Sequence, residues 1–358
     1  MSVVTLDYND LVADVDLSEQ IEQAYGHNGL GVLTVKNVPE WLEHRERLLP
    51  LAQQFASLPE EILAKYVHEP SMYSFGWSHG KENLQGAPDY AKGSFYANPQ
   101  YDRPVDDDAL IEKYPAFLHP NIWPTDDFPK LEPAFKQLGG IIVRVGALVA
   151  RQCDRYVHKV QNSYSPNHLE NIIRTSKCCK ARLLHYFSAP VTDAPAVEGQ
   201  EGDFSSWCGW HNDHGSLTGL CSAMYLDENG NEISNPDSSS GLYIRSRSSD
   251  LVQVAIPRDH VAFQIGETAQ VHSGGILQAT PHAVRGSRVS GVTRETFAVF
   301  MEPDWCEPMT LPDGMDSSAA QTQSSAANLP KGVPALGTRW RDGMDFSDFT
   351  NETLKHYY

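Results

Sequence analysis

A chain of 358 residues with 41% hydrophobic and 21% charged residues has ordinary globular composition, which excludes wholesale disorder. Its net charge of −18 argues against a polyanionic partner, because binding phosphate needs a basic footprint; neither nucleic acid nor an anionic membrane surface is expected. The length allows two domains of ~150 residues, or one large β-rich domain with helical additions.

Asp16-Leu17-Ser18-Glu19 reads as a capping box, with Asp16 at the N-cap and Glu19 able to reach back to its amide. The helix it opens is expected to stop at Asn28-Gly29. Leu30 to Val38 alternates as a strand does. A second helix is expected over Glu43 to Phe55, and Pro59-Glu60-Glu61 suits the first turn of a third. Residues 70–128 carry many Gly, Pro, Tyr and Trp without a period, and read as loops and short elements. Leu131, Phe135, Leu138, Ile142, Val145 and Val149 then recur at spacings of four and three, the stripe of a long amphipathic helix.

From residue 180 the texture changes. Arg182 to Phe187, Leu217 to Leu226, Gly241 to Arg245, Leu251 to Ile256, Val261 to Ile265 and Glu295 to Met301 read as strands. So many strands with no helical pattern between them imply a sandwich or a jelly roll. Asp227 to Ser240 is a polar loop, Asp313 to Ala327 is expected to be mobile, and a helix around Phe349 to Tyr357 closes the chain.

Met1 to Asp7 holds neither a basic nor an apolar run, so a secretory signal is not expected. Ile141 to Ala150 is broken by Arg144 and too short for a span of ~20 helical residues. The six cysteines, with Cys178 and Cys179 adjacent, read as reduced thiols of a cytoplasmic protein. The sequon Asn351-Glu352-Thr353 is then a chance match.

His211-Asn212-Asp213 is the first candidate for chemistry. With 14 His and 25 Asp in 358 positions, one His-x-Asp is expected by chance, so the motif alone decides nothing. Context decides: along a strand, residues i and i+2 point the same way, and an imidazole and a carboxylate so placed can bind one metal from adjacent vertices. His168-Leu169-Glu170 lies beside a helix, where i and i+2 diverge, and is rejected as a ligand pair. His282 supplies a third ligand from a distant strand. Two His and one carboxylate leave half of an octahedral sphere open, as in non-haem Fe(II) oxygenases. Zinc more often takes a closed tetrahedron, and no His-Glu-x-x-His helix occurs. Arg294 and Thr296 share one face of the strand leading into Phe297 to Phe300, and a guanidinium on an apolar inward face calls for a carboxylate partner.

The stretch His211 to Thr218, then Gly241 to Ile244, His282 to Val284 and Arg294-Glu295-Thr296 resembles the isopenicillin N synthase-like family of 2-oxoglutarate/Fe(II)-dependent dioxygenases, with their His-x-Asp, distal His and Arg-x-Ser motifs. Ala24 to Val38 and Phe55 to Glu60 are similar to that family's helical leader. The resemblance implies a mainly β, α+β fold: a double-stranded β-helix (jelly-roll) core over 178–304, behind an N-terminal helical leader, 1–177, and before a C-terminal extension, 305–358. It implies Fe(II) on His211, Asp213 and His282, 2-oxoglutarate held by Arg294 and Thr296, and O2 as oxidant. The product side would be succinate, CO2 and an oxidised small molecule. The family's co-substrate Asn-x-Tyr is replaced here by His185-Tyr186-Phe187, so His185 or Tyr186 is expected to substitute. Trp207, Trp210, Phe75 and His79 are candidates for the substrate wall, with packing the plainer reading of each. His214 and His272 read as structural. No obligate protein partner is legible. Two alternatives stay open: an Fe(II) oxidase on the same fold that does without 2-oxoglutarate, and a non-catalytic small-molecule-binding relative.

Overall fold

Two sheets face one another across an apolar layer, and helices cover the outer face of the larger one. The computed structural model describes residues 2–81, 83–84, 87–188, 207–321, 329–330 and 332–357, with the backbone alone for 83, 84, 87, 88, 356 and 357.

The chain runs first through β1 (Val4–Asp7), α1 (Tyr8–Val12), α2 (Ser18–Tyr25), β2 (Val32–Lys36), α3 (Trp41–Ala56) and α4 (Glu60–Leu63). Next come β3 (Gly76–His79), the short pair β4 (Asn83–Leu84) and β5 (Ala87–Pro88), and β6 (Lys92–Ala97). The helices α5 (Asp108–Lys113), α6 (Pro115–Leu118), α7 (Leu131–Val160) and α8 (His168–Thr175) lead to β7 (Lys180–Tyr186). Strands β8 (Cys208–His211), β9 (Leu217–Cys221), β10 (Met224–Leu226), β11 (Glu232–Ile233), β12 (Gly241–Arg245), β13 (Leu251–Val254) and β14 (Val261–Ile265) follow. The chain closes with α9 (Glu267–His272), β15 (His282–Arg285), β16 (Thr293–Met301), α10 (Ser317–Gln321) and α11 (Phe346–Tyr357).

The larger sheet runs β1-β2-β14-β9-β16-β7-β6-β3, with β10 joined to the start of β16 and β11 to β10; the smaller runs β13-β12-β15-β8. This is a mainly β, α+β fold with a jelly-roll core, and β1, β2, β3 and β6 from the first part of the chain join the larger sheet. Strand alternation sorts the long strand β16 between two environments. Ala298 faces the smaller sheet in one apolar cluster with Leu184, Tyr186, Leu242 and Ile244. Phe297, Val299 and Met301 face α7 and α3. Phe297 meets Phe135 of α7 edge-on, with ring centroids 4.8 Å apart. Glycines permit this close approach. A methyl at Gly146 would lie 2.4 Å from the Met301 sulfur, and one at Gly219 would lie 2.1 Å from Ile142 Cγ2.

The α7 helix covers 30 residues, well past the periodic stretch at 131–149. It is long and apolar enough to cross a membrane, and 67% of its most apolar window is buried inside the fold. Two local expectations are corrected. Asp16 does not cap α2: the N-cap is Leu17, and the Asp16 carboxylate accepts from the Ser18 amide and hydroxyl while pairing with Lys159. The helix also ends at Gly26 rather than at Asn28-Gly29. Residues 70–128, expected as loops and short elements, include β3 and β6, which extend the large sheet beyond β7. The strand expected over Leu217 to Leu226 is broken at Ser222-Ala223. Within the stretch expected to be mobile, Ser317–Gln321 is helical, and 322–327 lie outside the described residues. All six cysteines are free thiols.

Candidate metal centre and co-substrate pocket

His211 ends β8 and His282 opens β15, and antiparallel register makes them direct cross-strand partners. Their rings lie 4.2 Å apart, centroid to centroid. Asp213, two residues on, brings Oδ1 to 3.9 Å from His211 Nε2 and 3.8 Å from His282 Nε2. One donor atom from each of the three lies within 4.8 Å of the others. Ring orientation is set from behind. His211 Nδ1 donates to the Gly209 carbonyl at 2.8 Å, and His282 Nδ1 to the Thr280 carbonyl at 3.4 Å. Both imidazoles therefore turn an Nε2 lone pair toward Asp213, as metal-binding histidines do. Asp213 and His282 are buried, and His211 is half-buried.

Burial lowers the His211 pKa, but the Cys208 thiol and Asp213 beside it raise it more, holding it at about 9. Burial, reinforced by His211, pushes His282 down to about 4. His211 therefore carries the proton that a divalent cation would displace, and His282 is neutral. Asp213 Oδ2 is buried and has no hydrogen-bond partner among the described residues. An orphaned carboxylate oxygen beside two aligned lone pairs is costly without a cation, so the donor set fits a metal.

Arg294, on the inward face of β16, is 6% exposed, and its Nε and Nη1 have no partner among the described residues. Its guanidinium carbon stands 5.0 Å over the Tyr186 ring and 5.9 Å from that of Trp207. A buried cation with unused donors fits a carboxylate ligand. The Thr296 hydroxyl donates to the Cys221 carbonyl at 3.2 Å, so its proton is engaged within the sheet. Tyr186 stands on the Arg294 face of β7, and His185 does not. His185 points to the helix-covered side, where Nδ1 donates to both Glu295 oxygens at 2.9 Å.

The substrate-wall candidates spread out. Trp207 is buried against Tyr186, and Trp210 lies half-buried on β8 beside His211. Phe75 is buried beneath the Lys180 ammonium, 5.0 Å from its ring centroid. His79 bonds the Tyr90 carbonyl and packs on Phe187. Sequence reasoning missed Glu267, the first residue of α9. Its amide donates to the Asp213 carbonyl at 2.8 Å, and its Oε1 accepts from Asn212 Nδ2 at 3.0 Å. Those bonds tie the Asn212 side chain and the Asp213 carbonyl to the start of α9; no short motif marks them.

Residues 2–126 match the family model described as the amino-terminal domain of the non-haem dioxygenases in morphine synthesis. No curated protein matches the chain in sequence. Among solved structures, a 2OG-Fe(II) oxygenase family protein of Caulobacter crescentus superposes with a TM-score of 0.68 at 16% identity, covering 99% of both chains. A full-length Neurospora crassa protein, solved in complex with alpha-KG and 5-formyluracil, gives 0.65 at 17% identity over 98% of this chain and 95% of that one. The Arabidopsis thaliana dioxygenase for auxin oxidation 1, solved with 2-oxoglutarate, gives 0.57 at 15% identity over 92% and 100%. Residues 2–126 thus match a dioxygenase amino-terminal domain, and the chain shares its fold along its whole length with solved 2-oxoglutarate/Fe(II) oxygenases.

Proposed function

We propose that this protein oxidises a small molecule at a ferrous centre held by His211, Asp213 and His282, coupled to decarboxylation of 2-oxoglutarate to succinate and CO2. The observation that carries the reading is the pairing of two unmet demands on the inward side of the barrel. Asp213 presents a carboxylate oxygen with no donor, and Arg294 presents two donors with no acceptor, among the described residues. A ferrous ion held by His211, Asp213 and His282 would supply the activation of dioxygen.

The chain's own residues bind, orient and exclude water. Gly209 and Thr280 carbonyls fix the imidazole tautomers, and Glu267 fixes the loop between the first two ligands. Arg294 takes the distal carboxylate, with Tyr186 and Trp207 drying the space around it. Similar solved structures hold ligands as unlike as thymine and JA, so this fold admits chemically different substrates. The test is oxygen-dependent conversion of 2-oxoglutarate to succinate by the Fe(II)-loaded protein, screened against a metabolite extract. Turnover that rises with particular fractions supports the reading.

One observation favours a second reading. Because the Thr296 hydroxyl is engaged with Cys221, Arg294 alone faces the ligand, and a substrate's own carboxylate satisfies it as well as 2-oxoglutarate does. Oxygen uptake without succinate formation would select that Fe(II) oxidase reading.

A further inference from the structure

Three side chains from separate parts of the chain meet on the outside of the core: His168 at the start of α8, His272 at the end of α9, and Glu307 beyond β16. One donor atom from each lies within 4.8 Å of the others. The His168 and His272 rings are edge-on at 4.7 Å. Although His272 reads from the sequence as structural, its environment is that of a ligand. Its Nε2 donates to the Pro308 carbonyl at 3.0 Å, which leaves Nδ1 as the ring's lone pair. That Nδ1 is buried and has no partner among the described residues, in a side chain only 2% exposed. A carbonyl behind one ring nitrogen and a vacant lone pair on the other is the arrangement that orients a metal-binding imidazole.

Its neighbours match. His168 diverges from Glu170, which is taken up by Arg151 and Arg174 on another side of α8. Burial lowers the pKa of both histidines, keeping them in the neutral form that ligates. A cavity of about 160 Å³ lies alongside, lined by His168, Glu307, Asn171 and Asp304 among others. It is roomy enough for an ion that completes its shell with water.

We propose that His168, His272 and Glu307 form a second metal site, separate from the ferrous centre, for a zinc-like divalent cation. Two imidazoles and one carboxylate with an open fourth position suit zinc(II) or cobalt(II). Bound there, the ion clasps α8 of the leader, α9 of the core and the segment after β16, and so stabilises the fold.

The test is a cobalt(II) titration of chelator-treated full-length protein, read by visible absorption and calorimetry and repeated with zinc(II). Wild type is expected to bind two equivalents, and His211→Ala and His168→Ala one each. Glu307→Gln is expected to weaken the second equivalent at least ~10-fold. Zinc(II) is expected to raise the unfolding temperature of His211→Ala but not of the His211→Ala/His168→Ala double variant. His168 and Glu307 are only partly buried, so these variants avoid the fully buried His272. A single equivalent in wild type that vanishes in His211→Ala would overturn the proposal. So would a second equivalent that survives undiminished in both His168→Ala and Glu307→Gln.

Discussion

Arg339 donates through Nη2 to Glu267 Oε1 at 2.6 Å, with both side chains 1% exposed. The same oxygen accepts from Asn212, between the first two candidate ligands, so the C-terminal tail is wired to the metal loop through one carboxylate. Removing one partner of a buried pair strands the other charge. Arg339→Met is therefore expected to cost ~3–5 kcal/mol in urea unfolding and to weaken Fe(II) binding. Adding Glu267→Gln in the same chain should recover part of that loss. A double variant no more stable than Arg339→Met would separate the two residues energetically.

The two faces of β7 and β16 make opposite predictions. Arg294→Ala is expected to weaken 2-oxoglutarate binding by ~3 kcal/mol or more, over about 100-fold, as for loss of a buried ion pair. His185→Gln, on the Glu295 side, should leave that affinity within about twofold. Calorimetric titration of the two variants checks the pair.

Much of the site is legible in the sequence. His211 and Asp213 on an extended segment, and Arg294 and Thr296 on another, follow from a side-chain period of two. No strand was expected over 282–285, and it is the pairing of β15 with β8 that sets His282 opposite His211. What escaped the sequence is tertiary. β3 and β6 carry no alternation because each is buried by pairing rather than by its own pattern. Asp16 satisfies the sequence rule for a cap, yet Ser18 and Lys159 compete for its carboxylate. His168, His272 and Glu307 share no local spacing, and only the packing of α8 and α9 brings them together.

Acidification is expected to destabilise the metal-free protein. Burial, with His168 adding to it, pushes His272 down to about 3. The unfolded chain takes up this proton near 6.5 and the folded chain does not, so stability present above pH 6.5 is lost as pH falls toward 3. From pH 7 to pH 5 this one group accounts for ~2 kcal/mol, at ~1.4 kcal/mol per unit. Urea midpoints at the two pH values, for wild type and His272→Gln, test it: the variant should show the smaller fall.

The approach of α7 to the sheet rests on missing side chains. Gly146→Val would drive atoms into Met301, and Gly219→Ala would drive a methyl into Ile142. Each is expected to cost ~1–3 kcal/mol by overpacking, read as a lowered thermal midpoint, with the metal ligands untouched.

His211, Asp213 and His282 are expected to grip one ferrous ion that also takes 2-oxoglutarate. Anaerobic titration of the Fe(II)-loaded protein with 2-oxoglutarate, followed at visible wavelengths, tests it most directly. Wild type is expected to show a weak charge-transfer band that saturates, and His211→Ala and His282→Ala to show none. Iron that binds without any band, or a band unchanged in those variants, would contradict it.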